Sequence, residues 1–155
     1  MIGSLSGVAR EQLRRLVEEY GEVAVPVEGS GAVGGAVAAA REALDGGACA
    51  VVHSPEQRSA SRGTVLGPLA EVAARLSEEG LFEGLVLTGG ATAVRVARRL
   101  GASGIRLQGE VEKGVPVGAL IGPTPYPVVT KAGGFGGPDT LVRAVEALCE
   151  EEKNQ

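Results

Sequence analysis

Two glycine clusters hold most of the chemistry this sequence offers. The first, Thr88-Gly89-Gly90, stands between an apolar run, Leu85 to Leu87, and a helical pattern reaching about Leu100. The second, Lys131-Ala-Gly-Gly-Phe-Gly-Gly137, stands between the run Val128 to Lys131 and a final helical pattern. Both read as strand, glycine turn, helix. Glycine leaves main-chain N–H groups bare at the positive end of a helix, where an anion such as a phosphate is favoured. Two such turns in one small sheet suggest one ligand held between them. Lys131 can act as a phosphate-seeking cation; its structural alternative is an end-of-strand lysine that snorkels to water. Thr88 or Thr92 can cap the helix after the first turn, and Gly101 stands where a left-handed residue would close it.

Other reactive residue types form no pattern. No Walker A sequence occurs and no Gly-x-Gly-x-x-Gly lies at a strand–helix junction, which disfavours a P-loop enzyme or a standard dinucleotide dehydrogenase. His53 is the only histidine, and without adjacent cysteines or paired carboxylates it makes no zinc site; it reads as structural. No nucleophile–base arrangement is legible, so catalytic residues stay unassigned. Glu110, Glu112 and Asp139 could meet magnesium, but nothing in their spacing requires it, and no metal ligands are assigned.

The elements that must position the turns follow from periodicity. Met1-Ile2 reads as a strand stump running into Gly3-Ser-Leu-Ser6, as though something preceded Gly3 or still does in a longer product. Ser4 or Ser6 caps a helix from about Val8 to Tyr20, with Leu13, Leu16, Val17 and Tyr20 on one face. A strand over Glu22–Val27 ends or edges at Pro26. An Ala-rich helix runs from Ser30 to Leu44. Gly34 and Gly35 inside it cost about 1 kcal/mol each against alanine, which predicts close packing there. Ala48 to Val52 is a third strand, Glu56 to Gly63 a loop, and Thr64 to Glu79 a long helix. After Gly101 the pattern turns to short strands, Ile105–Leu107, Val117–Ile121 and Val128–Lys131, and Asp139 caps a last helix through Leu148. Alternating strands and helices predict an α/β fold: a mainly parallel sheet with helices on both faces, a Rossmann-like three-layer sandwich. His53, Thr88–Gly90 and Lys131–Gly136 all fall at strand carboxyl ends, where such sheets bind ligands.

Composition narrows the class. The 155 residues make one domain, read as 3–149 with a polar tail at 150–155. With two Phe, two Tyr and no Trp, the core must be Ala, Val and Leu, and no aromatic platform exists for stacked bases. Fifteen Lys and Arg against 19 Asp and Glu give a net charge of −4, which argues against a nucleic-acid partner. No signal peptide or membrane span is present, so a cytoplasmic protein is expected. Cys49 and Cys149 read as reduced, buried thiols. Arg outnumbers Lys 12 to 3, as a thermophilic source would explain.

Four segments then occur in the order and spacing of one family: Gly3-Ser-Leu-Ser6 with Gln12, Leu87-Thr-Gly-Gly-Ala-Thr-Ala93, Gly114-Val-Pro116, and Lys131-Ala-Gly-Gly-Phe-Gly136. The sequence resembles the C-terminal nucleotide-binding domain of the four-carbon acid sugar kinases, which act on threonate, erythronate and 3-oxo-tetronate. The resemblance implies ATP, with Mg2+, surrounded by Ser4 and Ser6, by Gly89, Gly90 and Thr92, and by Gly133, Gly134 and Gly136. It also implies a partner: family members carry an N-terminal domain for the sugar acid, here to be supplied separately. Activity as an ATP-dependent sugar-acid kinase is expected only with that partner. A homo-oligomer is compatible with the exposed docking face this leaves. The family usually has an acidic residue after the two glycines, where this chain has Ala91; that favours the alternative, a non-catalytic module binding a nucleotide or phosphate ligand.

Overall fold

The computed structural model describes residues 1–4, 6–20, 24–27, 29–47, 49–55 and 62–153. In chain order the elements are α1 (Gly7–Tyr20), β1 (Ala24–Pro26), a 3-10 turn (Ser30–Ala32), α2 (Val33–Asp45), β2 (Val51–His53), α3 (Arg62–Glu78), β3 (Leu85–Thr88), α4 (Gly90–Arg99), β4 (Gly104–Glu112), β5 (Val115–Ile121), β6 (Pro127–Lys131) and α5 (Thr140–Lys153). Ala48, most of the expected 56–63 loop, and residues 154 and 155 lie outside the described residues.

Side chains alternate across a strand, and this sorts the helices onto two faces. Val52 packs with Val37 of α2 and with Leu69, Val72 and Leu76 of α3, while Leu85, Leu87, Leu120 and Val128 meet Ala70 and Ala73 of α3 and Val96 of α4. Their strand neighbours look the other way. Ile2 and Val51 meet Leu13 and Leu16 of α1 and Leu141 and Val145 of α5, and Val129 meets Ala144 and Leu148 of α5. The result is three layers, helices–sheet–helices, with a core built mainly from Val, Leu and Ala.

The sheet itself differs from a mainly parallel one. β1 pairs parallel with β2, and β3 parallel with β6, but β6–β5 and β5–β4 are antiparallel. The four-stranded part, in the order β3-β6-β5-β4, is therefore mostly antiparallel. The reason lies in the connections. A parallel pair needs a crossover of a dozen or more residues, and only Lys113 and Gly114 separate β4 from β5. Pro116 fits because β5 pairs with β6 only over Val117–Ala119, so the proline stands where β5 has a single neighbour.

The Met1-Ile2 stump holds the two strand sets together. Ile2 bridges in parallel to His53 and to Thr88. Its N–H donates to the Val52 carbonyl (2.8 Å) and its carbonyl accepts from Ser54 N–H (2.9 Å), while Thr88 N–H donates to Met1 (2.9 Å). At the amino ends of these strands, below Met1, is an apolar cavity of about 440 Å³ lined in part by Cys49, Phe82, Leu85 and Leu148.

Several local expectations are corrected. Gly34 and Gly35 are exposed and a side chain added at either would meet nothing within 4 Å, so close packing does not account for them; nothing in the structure explains them. Both cysteines are free, but Cys49 is half-buried and Cys149 exposed. α5 continues beyond Leu148 through Lys153, into the segment read as a tail. Gly101 does close α4: its φ is +77°, its N–H bonds Arg98 (3.0 Å), and Ala102 N–H bonds Ala97 (2.9 Å), the paired bonds of a Schellman ending.

Candidate functional site

Three chain turns begin side by side at the carboxyl ends of the stump, β3 and β6. Thr88 stands opposite Lys131 in the ladder. Gly3 N–H donates to the Thr88 carbonyl (3.2 Å) and Gly89 N–H to the Lys131 carbonyl (2.8 Å). Gly3, Ser4 and Ser6 therefore share one rim with the segments 88–90 and 131–137, and all ten sequence-predicted residues come together: Ser4, Ser6, Thr88, Gly89, Gly90, Thr92, Lys131, Gly133, Gly134 and Gly136.

The entry to α1 is tied to the third turn. Ser6 caps α1, its Oγ accepting from Ala9 N–H (3.1 Å), and the same hydroxyl donates to the Gly133 carbonyl (2.7 Å). Ser4 Oγ accepts from Ser6 N–H (3.3 Å) and donates to Ser6 Oγ (3.2 Å). Gly133 must be glycine, because a Cβ there would overlap the Ser4 side chain. Further along α1, Gln12 is wholly buried and its Nε2 donates to the carbonyls of Phe135 (3.0 Å) and Gly137 (2.8 Å).

Lys131 neither snorkels nor faces solvent. It is 3% exposed, and Nζ donates to the carbonyls of Ala132 (2.7 Å), Gly133 (3.3 Å) and Phe135 (3.0 Å). Burial lowers its pKa from 10.5 to about 8, partly opposed by the Glu112 carboxylate. Glu112 in turn accepts from Thr140 Oγ1 (2.5 Å) and pairs with Arg143 (2.8 Å). Thr140 is the wall against which Gly136 turns, with φ +85° and no room for a Cβ. At the tip, Phe135 is 55% exposed and its ring lies against Gly114 of the β4–β5 turn.

The first turn is barer. Gly89 is the N-cap of α4, with φ +100° and no side-chain oxygen capping the helix. Neither threonine serves. Thr88 still belongs to β3, and Thr92 is the third residue of the helix, with its hydroxyl packed under Gly3 and Gly89. Both are buried, and Thr88 Oγ1 has no hydrogen-bond partner. Gly90 and Gly134 open onto space, with nothing within 4 Å of an added Cβ. From Gly90 and Ala91 a groove of about 710 Å³ runs between α3 and α4, past Arg95 and Arg98. Ala91 is exposed and the first turn of α4 carries no acid.

The remaining candidates are engaged elsewhere. His53 is buried, its Nδ1 donating to the Ser54 carbonyl (2.8 Å), which the Arg10 guanidinium also reaches (2.9 Å). Asp139 pairs with Arg15 (3.1 Å), and Glu110 accepts weakly from Gly114 N–H (3.4 Å). Among the described residues no group of three His, Cys, Asp or Glu could hold a metal ion, and no helix is long and apolar enough to cross a membrane. Gln12, Thr140 and Arg143 were not among the sequence-predicted site residues, and Glu112, weighed there only against magnesium, instead engages Thr140 and Arg143. A glutamine one residue before Leu13 of the buried stripe was the available signal for the first.

Residues 1–141 match the family described as "Nucleotide-binding C-terminal domain". The D-threonate kinase of Bordetella bronchiseptica is 48% identical over 101 residues, covering 63% of this chain and 25% of that protein. The D-threonate kinase of Cupriavidus necator is 33% identical over 166 residues, covering 97% of this chain and 39% of that one. The chain thus spans well under half the length of these relatives. A crystal structure from Bordetella bronchiseptica, a domain of unknown function with bound citrate seen as a domain-swapped dimer, superposes with a TM-score of 0.80 at 34% identity, over 95% of this chain and 39% of that one.

Proposed function

This chain belongs to the nucleotide-binding C-terminal domain family of the four-carbon acid sugar kinases, and on that premise we propose that it binds ATP across the Gly89–Gly90 turn and the 132–137 loop. The observation that carries this is the rim itself. The N–H groups of Gly133, Gly134, Gly136 and Gly137 have no acceptor among the described residues, and they lie beside the uncapped amino end of α4. That donor set fits a polyphosphate: neutral main-chain donors and a helix dipole suit an anion. Mg2+ fits differently. Glu112 is held by Thr140 and Arg143, so the ion would be carried by phosphate oxygens and water rather than by carboxylates of this chain.

The reaction would join a sugar-acid hydroxyl oxygen to the γ-phosphorus and break the bond from that phosphorus to the β–γ bridging oxygen, leaving ADP. This chain's part is to orient the phosphates and draw their charge toward the glycine N–H groups. The sugar acid, and the base that takes the hydroxyl proton, belong to a separate sugar-acid-binding half. Docking of that half would complete the site. A cytoplasmic site of action would follow from work on ATP.

A second reading, a non-catalytic module for a nucleotide or phosphate ligand, rests on Ala91 and the acid-free first turn of α4. Calorimetric titration with Mg-ATP and Mg-ADP, repeated on Gly90→Asp, tests binding. Adding a sugar-acid-binding half with threonate separates the two readings. ADP formation only in its presence supports the kinase; binding without turnover in every combination supports the module.

A further inference from the structure

Lys131 lies under the glycine loop. Its three contacts, to the carbonyls of Ala132, Gly133 and Phe135, occupy all three ammonium protons. In a trans peptide the C=O of one residue and the N–H of the next point in opposite directions, and no cis bond occurs among the described residues. Drawing those three carbonyls inward therefore turns outward the N–H groups of Gly133, Gly134 and Gly136. Gln12 grips the same side of the loop from α1, at Phe135 and Gly137. Its amide orientation is fixed, since both neighbours are acceptors and only the NH2 end can face them.

Resting on the nucleotide reading above, we propose that Lys131 and Gln12 are positioning residues: they hold the carbonyl side of the 132–137 loop so that its N–H side meets a phosphate group, and Lys131 itself does not touch the phosphate. The residue that looks most like a phosphate ligand in the sequence then acts one layer below it. Its charge still favours an anion through the polarised peptide planes, but the contact atoms are glycine nitrogens.

The arrangement is sensitive to the Lys131 proton. A neutral amine keeps two donors for three carbonyls, so one peptide plane is released. The charged groups facing this ammonium are Glu112 of β4 and, through it, Arg143 of α5. α1 contributes Gln12 and β3 contributes Thr88, neither of which titrates. Asp139 is paired with Arg15 at the surface.

The test is an amide NMR titration of the whole chain without ligand, followed by Mg-ADP binding, on the native sequence, Lys131→Met and Gln12→Leu. The expected result is that the Gly133, Gly134 and Gly136 cross-peaks move together with a midpoint near pH 8. In both variants the Phe135 amide, which donates to the Ala132 carbonyl, exchanges faster, and Mg-ADP affinity falls about tenfold or more, as for loss of a hydrogen bond to a buried charged or polar group. The proposal is overturned if the loop amides ignore both pH and Lys131→Met while only that variant loses nucleotide, since Lys131 would then be a direct ligand. Native protein that binds no Mg-ADP while the loop titrates as expected upholds the positioning role and removes the nucleotide reading. Should Lys131→Met fail to fold, the native pH titration and Gln12→Leu decide.

Discussion

The two glycine turns look alike in sequence and are built in opposite ways. The 131–137 turn is stitched from below by Lys131, Gln12 and Ser6, and two of its glycines, Gly133 and Gly136, are demanded by neighbours that leave no room for a Cβ. The 88–90 turn has one such position, Gly89 with φ +100°, and then opens to space at Gly90. A glycine with a wall beside it is explained by packing. A glycine with nothing beside it, at a rim of bare N–H groups, is where a ligand's approach would be blocked by a side chain.

Substitutions can break that distinction. Gly136→Ala should be the most damaging: overpacking against Thr140 costs about 1–3 kcal/mol and the left-handed backbone about 1–2 kcal/mol more. Denaturant unfolding should give a total near 3 kcal/mol. Gly133→Ala lacks the backbone penalty and should cost about 2 kcal/mol by the same measurement, displacing Ser4. If both were neutral, the stitched turn would be looser than described.

A smaller effect separates stability from binding at Lys131. Its pKa is depressed in the folded state, from 10.5 to about 8, so between those values the unfolded chain holds more protons. Stability should therefore rise with pH across that window, the reverse of the expected fall in phosphate affinity. Urea midpoints at pH 8 and pH 10, compared with those of Lys131→Met, check the sign. The smallest stability change belongs to the open turn. Gly90→Asp should shift stability by less than about 1 kcal/mol, an acid in the first helical turn being mildly favourable, yet weaken Mg-ATP about tenfold or more through like charge. Loss of stability with unchanged affinity would reverse the contrast.

Much of the fold was legible because the buried strands are short apolar runs bounded by glycine. The exception was β4. From Leu107 to Glu110 it is exposed, and in Gln108-Gly-Glu-Val-Glu112 only Val111 reaches the core, too little for an apolar strand signal, so the strand runs five residues past its expected end. Its antiparallel pairing depended on a turn too short for a crossover, a geometric constraint that alternation of elements does not convey.

At the site, the glycines were legible as positions and the lysine was misleading as a side chain. Counting parity from Val129, which faces α5, puts Lys131 on that same helix-covered face of the sheet. The sequence contains that information, but a basic residue before a glycine cluster invites the phosphate reading first. Gln12 is marked in the sequence only through the family resemblance, because one polar residue in an apolar stripe says nothing of which loop it will reach.

The contact of Phe135 with Gly114 also makes the loop optically addressable. The chain contains no tryptophan, so Phe135→Trp would install the sole indole emitter, half in water and half against the β4–β5 turn. Its emission maximum would follow the ring on and off Gly114, and ligand-driven loop movement could be followed in a stopped-flow fluorimeter with no other indole contributing.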